Sequence, residues 1–240
     1  LRIAFLSDIH GNLEAFEAVL RDIDEQVVDM RFCLGDSVGY GADPDQVLKR
    51  LFSEAIPSIM GNHDAAIFDE SVLAWFNPQA MDAILKTRRL LAEGTVDRLR
   101  YLPKVQSVHG AYCVHGFPPD SLHMYLFEAN RGDVARELTR LKEKICLVGH
   151  THTLGIVTWD GKTVESAPLL PGIILLDDKS YLINIGSVGQ PRDGNNNAKY
   201  VIWDNEVNSL ETRFVPYDIA RAANKILEAG MPEFCARRLW

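Results

Sequence analysis

The sequence has no CxxC spacing, no long apolar run, no basic stripe and no internal repeat, and each absence removes a class of protein. It has only four cysteines in 240 residues, and Cys33, Cys113 and Cys146 each lie inside a short apolar run. They read as small core residues rather than a disulfide framework or a zinc knuckle. The longest aliphatic run, Ile173 to Leu176, is far short of the ~18–20 apolar residues that span a bilayer. The N-terminal residues read as a strand rather than as a basic and apolar leader, so the expected location is the cytoplasm. Lys and Arg are scattered over a chain of net charge −8, which lacks the phosphate-tracking stripe that a duplex requires. Neither long nucleic acid nor a membrane is an expected partner. No shift in composition marks a linker, so one domain over residues 1–240 is expected.

What is present is an ordinary globular balance, 47% hydrophobic and 24% charged, enough to bury a sizeable core. Within it one pattern recurs. Ile3-Ala4-Phe5-Leu6-Ser7-Asp8-Ile9-His10 is an apolar run that halts at a carboxylate and an imidazole two residues apart. The period of a strand places those two side chains on one side, just beyond its end. The pattern returns at Phe32 to Asp36, Ile59 to Asp64, Tyr112 to His115 and Cys146 to His152. Ligands in open α/β sheets bind beyond the carboxyl ends of strands, so these tips are expected to converge.

Taken in order, Gly11-Asn12 opens a helix carrying Leu13, Phe16, Leu20 and Ile23 at helical spacing. A strand at Phe32 to Leu34 leads to a helix from Pro44 to Phe52, and Ile56 to Met60 forms a third strand. This alternation predicts parallel strands with right-handed crossovers. Residues 65–103 form a helical, cap-like excursion over the site, with helix from Val72 to Leu91, a break at Asn77-Pro78 and an end at Gly94. Trp75 and Phe76 are candidates to line it. Lys104 to Val108 and Ala111 to Val114 form a hairpin. His109 sits at its turn, whereas His115 ends a wholly apolar strand and is the chosen ligand. His123, in the loop that follows, is a candidate to face substrate. After His152 the strands Leu154–Thr158, Ile173–Leu176, Tyr181–Ile185, Tyr200–Trp203 and Leu210–Phe214 read as a second, largely antiparallel sheet. The glycine-bearing loop from Gly186 to Arg192 either approaches a phosphate or simply turns the chain, and Arg192 is its side chain of interest. A closing helix buries Ile219, Ala222, Ala223, Ile226 and Leu227. Residues 231–240 are left to dock, swap or fray.

Asp8, His10, Asp36, Asn62, His115, His150 and His152 supply imidazole and oxygen donors for two ions sharing a bridging carboxylate. Mixed nitrogen and oxygen ligation suits Mn²⁺, and also Fe, Zn or Ni, better than Mg²⁺. Two such ions about 3.5–4 Å apart clamp a phosphoryl group and lower the pKa of a water between them. Two dications against Asp8 and Asp36 leave the site positive inside an acidic protein. His63, next to Asn62 but pointing elsewhere, is the candidate general acid for a departing alkoxide.

Asp8-x-His10, Gly35-Asp36, Gly61-Asn62-His63-Asp64, Val114-His115-Gly116 and Gly149-His150-Thr151-His152, in this order, resemble the five blocks of the calcineurin-like metallophosphoesterases. The resemblance spans Leu1 to about Arg213. It implies an α/β four-layer sandwich, two mixed β-sheets flanked by helices. It implies one metal on Asp8, His10, Asp36 and His152, and another on Asp36, Asn62, His115 and His150, with His63 at the acid position. Asp8-Ile9-His10-Gly11-Asn12 and Ser187 to Arg192 are similar to the small prokaryotic phosphodiesterase branch, which adds Asn12 to Arg192 and His123 as substrate-binding candidates. One departure is notable: protein serine/threonine phosphatases carry an acidic residue and an arginine where this chain has Gly39 and Tyr40. The expected substrate is therefore a small phosphodiester or phosphomonoester. A nucleotide or dinucleoside-polyphosphate hydrolase, a phosphoprotein phosphatase and a metal-free scaffold are the alternatives, and homo-oligomerisation is left open.

Overall fold

A computed structural model of the chain describes residues 1–240. Eleven strands form two sheets: β1 (Arg2–Leu6), β2 (Met30–Cys33), β3 (Val105–Val108), β4 (Ala111–Val114), β5 (Ile145–Val148), β6 (Gly155–Trp159), β7 (Val164–Ala167), β8 (Gly172–Leu175), β9 (Ser180–Asn184), β10 (Ala198–Asp204) and β11 (Ser209–Val215). The first sheet has the order β2-β1-β10-β11-β8 and the second β3-β4-β5-β9-β6-β7. Pairs β1–β2, β4–β5 and β5–β9 are parallel, and the rest are antiparallel.

The layers follow from alternation along buried strands. Ile3 and Phe5 of β1, Ile145 and Leu147 of β5, and Val201 and Trp203 of β10 share one core between the sheets. Their neighbours Ala4, Leu6, Tyr200 and Ile202 face the other way, against helices α1 (Leu13–Glu25) and α2 (Pro44–Ser53). Cys146 and Val148 of β5 face α7 (Arg131–Arg140). Strands covered on both faces need apolar residues at every position, which is why β1 and β5 read as unbroken apolar runs. The result is the four-layer sandwich that the resemblance implies.

Helix α3 (Asn62–Ala66) leads into the excursion, which contains α4 (Glu70–Leu73), α5 (Pro78–Leu90) and α6 (Glu93–Leu99). Asn77 caps α5 through the Ala80 N–H, and Pro78 takes the first helical position. Gly94, expected to end a helix, lies inside α6, because the break comes earlier, at the extended residue Leu91. Two further expectations are corrected. Ile56–Met60 is an extended segment holding a single bridge, Cys33 to Ser58, not a strand. The strands after His152 do not make a sheet of their own. β8, β10 and β11 complete the first sheet while β6, β7 and β9 complete the second. Periodicity marks strands, but which neighbour each one joins depends on long-range pairing.

Helix α8 (Ile219–Glu228) buries Ala222, Ala223 and Ile226 but leaves Leu227 half exposed. The final helix α9 (Glu233–Arg237) docks, with Met231, Cys235, Ala236 and Leu239 packed against Tyr40 and Ala80. All four cysteines are free and buried. No helix is long and apolar enough to cross a membrane.

Candidate metal centre

The ligand turns leave the carboxyl ends of two parallel pairs, one in each sheet. Asp8 and His10 follow β1, and Asp36 follows β2; His115 follows β4, and His150 and His152 follow β5. Asn62 opens α3. Asp8, His10, Asp36, His150 and His152 all have left-handed backbone, with φ between 52° and 65°. A side chain at such a φ costs about 1–2 kcal/mol, and five of the eight non-glycine residues in this region are these candidate ligands. The strain is concentrated where it turns polar tips inward immediately after a strand.

The tips meet. His115 Nε2 lies 3.2 Å from Asp36 Oδ2, 3.2 Å from Asn62 Oδ1 and 4.0 Å from Asp8 Oδ1. His152 Nε2 lies 3.2 Å from Asp8 Oδ1, and His10 Nε2 lies 3.7 Å from both Asp8 Oδ1 and Asp36 Oδ2. The donor atoms fall into sets: Asp8, His10 and His152; and Asp36, His115 and His150, with His10, Asp36 and His63 a third.

Backbone carbonyls set the tautomers. His10 Nδ1 donates to Val38 O at 3.0 Å, His115 Nδ1 to Leu34 O at 2.7 Å and His152 Nδ1 to Gln190 O at 2.6 Å. Each turns its Nε2 to the centre, as a lone pair in His10 and His152 and, until an ion displaces the proton, as an N–H in His115 between Asp36 and Asn62. His150 is reversed: its Nε2 donates to His123 O at 2.9 Å, which leaves Nδ1 as its free ligand atom. The Nε2 atoms of His10 and His152 then face one another at 3.0 Å, two lone pairs with no proton between them. Asp8 Oδ1 is buried with no hydrogen bond. Both features call for cations, so the residues fit a dinuclear metal site.

Charge agrees with that fit. Burial holds His10, His63 and His152 below the usual imidazole range, and burial together with His115 takes His150 down to about 3. His115 is the exception: burial opposes its charge, but the Asp36 and Asp8 carboxylates push it up to about 10. Burial likewise works against the Asp8 carboxylate, yet His152, His115 and His10 hold it well below the usual range.

Several supporting residues were not assigned roles from sequence. Asp64, fully buried, accepts from the N–H groups of Asp36 (2.8 Å), Ser37 (3.0 Å), Val38 (3.3 Å) and Gly61 (3.0 Å), and so shapes the turn that presents Asp36. Tyr40 packs on His10 and His63, with ring centroids 4.8 and 4.6 Å away. Gly39 makes that packing possible. A Cβ there, at φ +138°, would meet His10 Nδ1 and His63 Nδ1 at 2.7 Å. The missing acidic side chain at this position is thus replaced by the close approach of two imidazoles. Asp64 lies within a block legible in the sequence, but its role depends on a loop distant in the chain.

The Gly186–Arg192 loop braces the site. Val188 N–H donates to Ser7 O at 3.0 Å and Gly189 N–H to Asp8 O at 2.9 Å, so these groups are already satisfied rather than offered to phosphate. A Cβ at Gly189 would lie 1.8 Å from Ile9 O, so only glycine allows the approach. Asn12, expected at the substrate, makes structural hydrogen bonds in this loop. Its Oδ1 caps α1 through Ala15 N–H at 3.1 Å and its Nδ2 donates to Gly189 O at 2.9 Å.

A cavity of about 340 Å³ lies over the centre, reached by Asp36, Asn62, His63, His150, His152 and Arg192. Its walls include Tyr40, Trp75, Phe76, His123 and Tyr125. His63 is buried and held edge-on by Phe76 at 4.8 Å, and its Nδ1 has no hydrogen-bond partner. Arg192 Nη2 donates to Gln190 Oε1 at 2.9 Å, and its guanidinium lies 5.8 Å over the Tyr40 ring. A larger cavity of about 550 Å³ between α7 and the β6–β7 hairpin contains none of the proposed ligands.

Comparison with known proteins agrees with this geometry. Residues 1–208 match the model of the calcineurin-like phosphoesterase superfamily domain. The uncharacterized protein MJ0912 of Methanocaldococcus jannaschii is 37% identical over 99% of this chain and 97% of its own. A metallophosphoesterase from Sphaerobacter thermophilus superposes with a TM-score of 0.85 at 33% identity, covering 100% of this chain and 98% of that one. The hypothetical protein PH1004 from Pyrococcus horikoshii shares the fold, with a TM-score of 0.79 at 19% identity over 100% and 97% of the two chains. The chain therefore belongs to the calcineurin-like phosphoesterase superfamily and is a phosphoric ester hydrolase.

Proposed function

We propose that the chain hydrolyses a small phosphodiester or phosphomonoester, with His63 as the general acid. The observation that carries this reading is the shared cavity. His63 and Arg192 line the same space of about 340 Å³ as the candidate ligands Asp36, Asn62, His150 and His152. Two divalent ions, with Mn²⁺ the first choice for these mixed donors, would supply positive charge to the phosphoryl oxygens and a lowered pKa to a water held there.

The protein's own groups do the rest. Arg192 draws the substrate's negative charge into the cavity and grips a phosphoryl oxygen. Asp64 and the carbonyls behind His10, His115 and His152 hold the donor set in place without movement during the reaction. His63 stands in the cavity wall, and its ring passes a proton to the departing ester oxygen as the phosphorus–oxygen bond breaks. Burial opposes a charged His63, and the negative charge of an incoming phosphate opposes that effect in turn. The aromatic walls and small volume favour a small ester over a phosphorylated protein loop.

The test is a panel of bis(p-nitrophenyl) phosphate, p-nitrophenyl phosphate, cyclic nucleotides and a phosphopeptide, assayed with added Mn²⁺. Turnover of the small esters with none of the phosphopeptide is expected. Preference for the phosphopeptide would reject the reading.

A further inference from the structure

One wall of the catalytic cavity has space behind it. The Trp75 and His123 rings pack with centroids 4.1 Å apart and planes tilted by 42°. Both residues line the catalytic cavity of about 340 Å³, and both line a second cavity of about 490 Å³. Trp75 comes from the turn between α4 and α5, and His123 from the segment after His115. Trp75 is 50% exposed and His123 is exposed, so the hydrophobic core does not account for their pairing.

We propose that the Trp75–His123 pair is a specificity-determining partition, which confines the substrate's ester arm to the catalytic cavity and shuts it out of the second. The proposal rests on the phosphoesterase reading of this site. A volume of about 340 Å³ is near the lower end of the ~300–1,000 Å³ typical of small-ligand sites. Once a phosphoryl group is seated on the ligands, an arm of only modest size fits beside it. Joining the two cavities would more than double the room. Behind the partition Met60, Val72 and Leu122 are apolar, while Asp69, Asp120 and Lys104 carry a net negative charge. Opening it therefore favours a neutral or cationic arm over an anionic one.

Three esters that release the same p-nitrophenolate isolate the arm: p-nitrophenyl phosphate, p-nitrophenyl phosphorylcholine and p-nitrophenyl thymidine 5′-phosphate. Each is assayed with the Mn²⁺-loaded full chain, as wild type, Trp75→Ala and His123→Ala. Either variant should raise kcat/KM for the two diesters relative to p-nitrophenyl phosphate by about tenfold, mostly through KM. His123→Ala leaves the carbonyl that holds His150, so it tests the partition even if Trp75→Ala fails to fold. Unchanged ratios in folded, metal-loaded variants overturn the partition. So does a wild type that already cleaves the thymidine ester as well as p-nitrophenyl phosphate. A wild type inactive on all three esters would instead count against the proposed function.

Discussion

Asp36 and Asp64 hold one another's segments in place. The Asp64 carboxylate accepts the Asp36 N–H at 2.8 Å, and Asp36 Oδ1 accepts the N–H of His63, the neighbour of Asp64, at 2.8 Å. Asp36, the bridging carboxylate in the arrangement that the family implies, is thus fixed by the helix that carries Asn62 and the candidate acid. Asp64→Asn exchanges an acceptor-only group for one with donors facing four N–H groups. Metal affinity or activity should fall about 10–100-fold, the usual effect of losing such a partner. Metal analysis of the purified variant and kcat on p-nitrophenyl phosphate check this, and wild-type values in both would refute it.

His63 donates no ligand atom in the arrangement implied by the family. His63→Ala should retain its metal content and lose roughly 10²–10⁴-fold in rate on esters with poor leaving groups. The loss should be smaller on p-nitrophenyl esters, whose leaving group needs no proton. Equal losses on both substrate types would remove His63 from the role of acid.

Gly39→Ala places a methyl group 2.7 Å from two imidazole nitrogens, at a φ of +138°. The Gly39 carbonyl is also fixed by the buried Thr87 hydroxyl, which limits relaxation. The variant should lose at least about 1 kcal/mol of stability, in the range of strained backbone positions. Its activity should fall because His10 and His63 must both move. A melting temperature and kcat equal to wild type would contradict the packing described.

Loading the metal-free protein with Mn²⁺ should raise its melting temperature. A ligand at 100 times its Kd adds about 2.7 kcal/mol to a native state that alone binds it. For a chain of this length that corresponds to roughly 5–11 °C. A thermal scan with and without chelator measures the shift, and the absence of one would mean that the facing His10 and His152 nitrogens do not bind the ion.

Away from the site, Asp22 joins α1 to β10 and β11. Its carboxylate accepts from Arg213 Nη2 at 2.7 Å, Arg213 Nε at 3.0 Å and Tyr200 Oη at 2.6 Å. Burial works to raise its pKa, but the Arg213 and Tyr200 hydrogen bonds outweigh it and the pKa is lowered. A depressed carboxylate contributes stability that is present above the unfolded value of about 3.9 and is lost as pH falls through the folded one. Asp22→Asn should therefore cost about 1–3 kcal/mol at pH 7, and the gap from wild type should close below about pH 4. Urea unfolding at both pH values tests the sign.

Much of this protein is set by local pattern. Apolar runs ending in Asp, Asn or His are visible one at a time in the chain, and they mark Asp8 and His10 as neighbours beyond β1, although left-handed turns rather than strand period aim the two side chains. The cap at Asn77 and the hairpin at His109 are likewise local. Tertiary structure decided what depends on partners distant in sequence. It distributed the late strands between both sheets, made Asn12 a cap, directed Asp64 at Asp36 and packed Trp75 against His123. The physical reason is range: a dihedral preference acts over a few residues, whereas a hydrogen bond or ring contact across the fold exists only after the sheets have paired.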